Sequence, residues 1–199
     1  MNSISAIILT AGLASRMGSS KLDLPFKKHT IIEEVINQLS ASKVNEIILV
    51  TGAYQDRIQD LFADNQNLHF VHNSQYQEGM TTSIQCGVSS SSAQADAYLI
   101  CLGDLPFITT AEYNQVIDQF NTNYEEQPLI IRPFAGKIPA HPVLFSKHFK
   151  QDLTQTPFKE GAKEVLKKNS SFVTEIYFQS KNAIRDIDTP EAYIDLLGH

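Results

Sequence analysis

Residues 9–25 read Leu-Thr-Ala-Gly-Leu-Ala-Ser-Arg-Met-Gly-Ser-Ser-Lys-Leu-Asp-Leu-Pro. Gly12 and Gly18 let a backbone come close to a ligand and turn. Arg16 and Lys21 add fixed positive charge to N–H groups that can face phosphate oxygens. The chemistry this suits is the grip on a nucleoside triphosphate. The pattern is neither Gly-x-x-x-x-Gly-Lys-Ser/Thr nor Gly-x-Gly-x-x-Gly. The bland alternative is a surface loop with two incidental basic residues.

Further along, Asp104 follows the apolar run Ala-Tyr-Leu-Ile-Cys-Leu-Gly. A carboxylate at the mouth of a strand suits Mg²⁺, which is held by one or two carboxylates plus substrate phosphates. The alternative for Asp104 is a turn or cap, although Thr109 and Thr110 are better placed to cap the next helix. A second acidic turn, Arg185-Asp186-Ile187-Asp188-Thr189-Pro190-Glu191, leads into a helix with proline at its first position. Asp188, ahead of Asp186, is a candidate second metal ligand; an N-cap with a surface ion pair is the competing reading. Gly79-Met-Thr-Thr-Ser83 opens a helix whose free N–H groups, with the Ser83 hydroxyl, could receive a base or ribose. Capping by Thr81 or Thr82 would explain the same residues. In Pro139-Ala140-His141-Pro142 the histidine, held extended before proline, either lines a substrate pocket or fills the turn. The other histidines have no zinc spacing, and no nucleophile elbow is present.

These candidates need a scaffold that brings loops together. Short β-branched runs alternate with helical spacing: strands are expected at Ile4–Leu9, Glu46–Val50, Leu68–Val71 and Ala97–Leu102. Further strands are expected at Leu129–Ile131, Val143–Phe145 and Phe172–Phe178. Helices are expected over Thr30–Leu39, Gln55–Phe62, Met80–Val88 and Thr109–Phe120, and across 147–153, 159–168 and 190–197. Such alternation predicts an α/β layered fold with a largely parallel sheet and one antiparallel strand in the 129–178 region. Ligands in such sheets collect at the carboxyl ends of the strands. The 10–21 loop and Gly103–Pro106 both lie at such ends. If their strands are neighbours, both loops open on one crevice.

The 199 residues carry a net charge of −6, which argues against general affinity for nucleic acid or an anionic membrane. A phosphate site must then be built locally. Two cysteines, Cys86 and Cys101, are too few for a disulfide framework. No secretory signal or bilayer-spanning run is evident, so the expected location is the cytoplasm.

Taken together, the motifs resemble the nucleotidyltransferases that complete the molybdenum cofactor, the MobA-like and MocA-like NTP transferases, and most closely their CTP-using cytidylyltransferase branch. The resemblance rests on Leu9 to Pro25, Gly79–Ser83, Gly103–Pro106, His141–Phe145 and Asp186–Glu191 in that order. It implies one nucleotidyltransferase domain over residues 1–199, a Rossmann-like three-layer α/β/α fold with a mostly parallel mixed sheet. It implies nucleotide binding by Leu9, Ala11, Gly12, Arg16, Gly18, Lys21, Gly79 and Ser83, with Arg16, Lys21 and Asp104 in catalysis. Mg²⁺ would be held by Asp104 with Asp188, and His141 and Pro142 would meet the acceptor. The implied reaction moves CMP from CTP to the phosphate of a pterin-type acceptor and releases pyrophosphate, with transient contact with molybdoenzymes.

The guanylyl branch, which uses GTP, typically has glycine where this chain has Ala11, so the methyl group would narrow a base pocket against a purine. Transfer to a sugar or polyol phosphate is a second enzyme reading; such families usually place proline before the loop lysine, where Ser20 stands here. A non-catalytic cofactor-delivery partner is the third. The chain departs from the resembled pattern at Asp23 (usually Leu), at Phe26–His29 (where a glycine is usual), at Ala140 (usually Gly) and at Lys163 (usually Arg).

Overall fold

The computed structural model describes residues 2–12, 21–155, 161–185, 187 and 193. Its main sheet is built from β1 (Ile4–Leu9), β4 (Glu46–Thr51), β5 (Leu68–His72), β6 (Ala97–Leu102), β7 (Ile130–Ala135), β8 (Ile138–Pro139), β9 (Val143–Ser146) and β10 (Val173–Phe178). Two short strands, β2 (Pro25–Phe26) and β3 (His29–Thr30), form a separate hairpin. The helices are α1 (Ile31–Ser40), α2 (Gln55–Leu61), α3 (Met80–Ser90), α4 (Thr110–Asn123), α5 (Lys150–Gln155) and α6 (Lys163–Lys168).

The eight-stranded sheet has the order β10-β7-β9-β6-β1-β4-β5, with β8 paired to β7. Pairings β1–β4, β1–β6, β4–β5 and β7–β10 are parallel. β9 runs antiparallel between β6 and β7 and is the expected antiparallel strand. β1 and β6 are buried on both faces, as parallel strands between helical layers must be. Ile4, Ala6 and Ile8 of β1, with Leu99 and Cys101 of β6, face a core shared with Ile32, Val35 and Ile36 of α1 and Val116 and Phe120 of α4. Ile7, Tyr98 and Ile100 face the opposite core with Ile84 and Val88 of α3 and Leu153 of α5.

Helix starts are set by their side chains. Thr30 and Thr109 each cap a helix in a reciprocal capping box with Glu33 and Glu112. Some boundaries differ from the sequence reading. The strand expected at Leu129–Ile131 continues to Ala135 through Pro133, whose carbonyl accepts from Ala140 N–H (2.9 Å) as β8 folds back. Phe172 belongs to a 3₁₀ turn, and β10 starts one residue later. The 147–153 stretch divides into a 3₁₀ turn at Lys147–Phe149 and α5. Within 159–168 the helix begins only at Lys163, because Gly161 takes φ 60° and breaks the register. Of the expected 190–197 helix, only Tyr193 is among the described residues.

The β2–β3 hairpin is an addition to the elements expected from the sequence; its two-residue strands are too short to show periodicity. Lys27 takes φ 55° at its turn, the left-handed region that glycine occupies without strain. A glycine, which the resembled pattern usually has within this stretch, would take the same conformation without strain. Asp23, the other departure near the loop, is buried and ion-paired with Arg57 of α2. No described helix is long and apolar enough to cross a membrane.

Candidate active site

The chain passes from β1 to β4 on one side and returns from β5 to β6 on the other, so strand order reverses between β1 and β6. Open α/β sheets bind ligands at this reversal, outside the carboxyl ends of the strands. The two exits are tied together. Gly103 N–H donates to the Leu9 carbonyl at 3.2 Å, and the Thr10 N–H and hydroxyl both donate to the Val50 carbonyl, at 3.0 and 2.7 Å. A side chain at Gly103 would sit 3.0 Å from Thr10 Cγ2, so glycine is what lets the two exits lie this close.

At that junction Lys21 Nζ meets Asp104 Oδ2 at 2.7 Å, with 16 % and 24 % of the two side chains exposed. The two residues lie 83 positions apart, and the fold brings them into contact. Lys21 is anchored behind by its neighbours: its carbonyl accepts from Leu24 N–H (3.3 Å), and Leu22 and Leu24 carbonyls accept from Ile32 and Ile31 at the start of α1. Asp104 is anchored by the buried Leu105 and by Phe107, which meets Phe26 edge-on at 5.3 Å. The Arg185 guanidinium lies 3.8 Å from the Phe107 ring centroid, and Ile187 is buried in the same core. Arg16, Gly18, Asp186 and Asp188 lie outside the described residues.

The remaining nucleotide candidates sit on the other side of β1. Gly12 is exposed, with open space where a side chain would be. Ala11 is 2 % exposed and its methyl group lies in the core with Ile7, Val50 and Ile84. Gly79 is the N-cap of α3 with φ 113° and supplies no capping side chain. Neither Thr81 nor Thr82 caps the helix: the single Thr82 O–H is shared between the Gln75 and Gly79 carbonyls, each 2.9 Å away, and Thr81 accepts from Gly161 N–H (3.2 Å). The first turn of α3 therefore keeps N–H groups for a ligand.

Ser83 is buried and its hydroxyl accepts from Asn73 Nδ2 at 3.0 Å. Asn73 also donates to Thr82 at 2.9 Å and accepts from Gln75 N–H at 3.0 Å. This buried amide, just beyond the carboxyl end of β5, orients the first turn of α3. Sequence reasoning misses it, although an asparagine directly after a strand at the ligand edge is an available signal. Asn73→Ala should lower stability by about 1–2 kcal/mol in urea unfolding, because two hydroxyls lose their donor. It should also weaken nucleotide binding, read by titration.

His141 lies beyond Asp104 at the start of β9 and joins Pro142 through a cis peptide bond. Burial pushes its imidazole below the ordinary value; the Asp104 charge and the Ile100 carbonyl pull it back up, and Arg132 pushes it down. Its Nδ1 is buried without a hydrogen-bond partner. It lines a pocket of about 220 Å³ with Met80, Ile84, Arg132, Ala162 and Lys163. Sequence reasoning also misses Arg132, because nothing local distinguishes it; only the pairing of β7 with β9 brings it beside His141.

Residues 6–172 match the MobA-like NTP transferase domain model. The chain is 30% identical over 194 residues to the molybdenum cofactor cytidylyltransferase of Escherichia coli, covering 98% of this chain and 95% of that protein. Among solved structures it is similar to Rv0371c of Mycobacterium tuberculosis, with a TM-score of 0.86 and 21% identity, covering 100% of this chain and 99% of that one. The same protein in complex with manganese gives a TM-score of 0.80 at 20% identity, covering 100% and 99% of the two chains. These likenesses agree with the Rossmann-like α/β fold described above.

Proposed function

The chain belongs to the MobA-like NTP transferase family and is a nucleotidyltransferase, and from that premise we propose that it transfers CMP from CTP to the phosphate of a pterin-type acceptor, the molybdenum cofactor. The acceptor phosphate oxygen attacks the α-phosphorus, and pyrophosphate leaves in line. The observation that carries this reading is the Lys21–Asp104 pair at the strand reversal. There a cation for phosphate and a carboxylate stand in contact at the edge where α/β sheets take ligands.

In this reading Leu9 delivers the chain to the site, the amides of Ala11 and Gly12 and the side chain of Arg16 hold the β- and γ-phosphates, and Gly18 admits their approach. Lys21 sits nearer the α-phosphate and the incoming phosphate, where negative charge converges. Gly79 and the first turn of α3, which Ser83 braces from within through Asn73, receive the cytosine and ribose. Ala11 contributes from below as a buried methyl group beside Ile84. His141 and Pro142 line the acceptor side. No general base is needed, because a terminal phosphate is already ionised near neutral pH; positioning and charge neutralisation carry the rate.

Asp104 fits a divalent cation by its donor chemistry: a partly exposed carboxylate whose charge is now met by a lysine. One or two carboxylates suffice for Mg²⁺ where substrate phosphates complete its site. Asp104, with Asp188, would hold it. Bound there it would neutralise triphosphate charge. The same reading places the protein in the cytoplasm, handing its product to molybdoenzymes in transient contact.

A thermal-shift panel of CTP, GTP, ATP and UTP with Mg²⁺ tests the nucleotide. The largest shift is expected with CTP; a larger shift with GTP overturns the cytidylyl assignment. Pyrophosphate release that appears only with acceptor present supports transfer. Nucleotide binding without release in any acceptor's presence would favour a delivery partner instead.

A further inference from the structure

The pocket lined by His141 and Arg132 holds two polar groups without a matching polar partner among the described residues. One is His141 Nδ1, buried and without a partner, a condition rare in native structures unless a ligand or water completes it. The Ile100 carbonyl also acts on the same ring, raising its pKa. In a neutral imidazole one ring nitrogen carries the lone pair, and the unpartnered Nδ1 is available to be that one. The other is the Arg132 guanidinium. It makes no ion pair among the described residues and lies 5.2 Å from the Phe134 ring centroid. Its cross-strand neighbour Glu175 is engaged elsewhere, accepting from the Tyr177 hydroxyl at 2.8 Å.

Around these two groups the wall is mostly apolar: Met80, Ile84, Ile100 and Val143. Met80 is half exposed at the rim, where an apolar side chain gains by meeting a ring. The volume of about 220 Å³ lies between a ~150 Å³ cavity that holds a single benzene and the ~300 Å³ at which drug-sized sites begin. That is the size of a small fused heterocycle.

We propose that this pocket reads the ring system of the acceptor, with Arg132 donating to a ring carbonyl and His141 Nδ1 accepting from the adjacent ring N–H, so that Arg132 is a specificity-determining residue for the acceptor. The ligand class is a flat heterocycle with a lactam edge, N–H beside C=O. The inference rests on the reading that the acceptor approaches from the His141 side. A site built around buried polar groups rejects analogues lacking the matching atom far better than an apolar slot rejects a change of size.

The test uses the full chain and pterin as the probe, with binding followed by its own fluorescence. Two analogues alter one feature each: 3-methylpterin lacks the N–H, and 4-thiopterin keeps the N–H but carries sulfur, a weak acceptor, in place of the carbonyl oxygen. The wild type should bind pterin at least tenfold more tightly than either analogue. In Arg132→Met, which has no donor, the preference over 4-thiopterin should fall to less than threefold, while the preference over 3-methylpterin persists. Because the analogue comparison is made on wild-type protein, it stands even where the variant folds poorly. No pterin binding, equal affinity for all three compounds, or an Arg132→Met protein that keeps both preferences overturns the proposal. CTP binding is read on the same samples by thermal shift. A wild type that distinguishes the pterins but is not shifted by CTP overturns the nucleotide assignment and leaves the ring pocket standing.

Discussion

Asp104→Asn should fold and lose turnover by about 10³-fold or more, the several kcal/mol expected when a carboxylate that anchors a cation on phosphates is neutralised. Stability should fall only modestly: the Lys21–Asp104 pair keeps 16 % and 24 % of its side chains exposed, so the cost should lie between the ~1 kcal/mol of a surface pair and the ~3 kcal/mol at which breaking buried pairs begins. Asparagine keeps the volume and can still accept from Lys21, so the loss reports charge. Two measurements separate the explanations: urea unfolding for the fold, and pyrophosphate release across a magnesium titration for the site. Retained magnesium-dependent release at near wild-type rate would sink the metal assignment. A variant that recovers rate at high magnesium would instead show that Asp104 sets cation affinity.

The location of this carboxylate is legible in the sequence, and the reason is physical. Parallel strands buried on both faces read as continuous apolar runs, so Ile4–Leu9 and Ala97–Leu102 stand out, and the segment after each must be loop at the ligand edge. That β1 and β6 are neighbours is a condition the sequence can pose but not answer, because pairing between strands so far apart is decided by the whole sheet. The loop residue Lys21 and the strand-end residue Asp104 can each be named alone; their contact cannot.

Other parts of the site are hidden for different reasons. Arg132 sits in a strand whose internal Pro133 argues for an early end, so the expected strand stops at Ile131 and leaves the arginine unassigned. Its place beside His141 depends on β9 lying antiparallel beside β7. Asn73 looks like an ordinary turn residue until α3 is docked against β5. Ser83 is expected to face the ligand, whereas helical geometry from Gly79 turns it inward to Asn73. Phase at a helix start depends on which residue caps it, and the cap is Gly79 rather than the Thr81 or Thr82 that side-chain preference favours.

Lys21→Met should cost about 2–4 kcal/mol of transition-state stabilisation, a ~30–1000-fold loss in kcat/KM, comparable to removing one oxyanion donor. Methionine keeps most of the stem and its packing, so the change is in charge. If the loss falls in kcat, Lys21 acts where charge builds during transfer; if only the nucleotide KM rises, it is a ground-state binding group. The contact with Asp104 adds a second readout. In the free protein Lys21 already satisfies the carboxylate, so a cation reaching Asp104 must displace the lysine. A triphosphate that takes Lys21 makes that displacement easier. Coupling of this kind is reciprocal: nucleotide should tighten Mn²⁺ binding in the wild type, and Mn²⁺ should tighten nucleotide binding by the same factor. In Lys21→Met, Mn²⁺ should bind Asp104 more tightly without nucleotide, and nucleotide should add less. Paramagnetic resonance of free Mn²⁺ measures both without turnover. Equal Mn²⁺ affinity in the two proteins, with equal coupling, would mean that the ion pair is incidental to ligand binding.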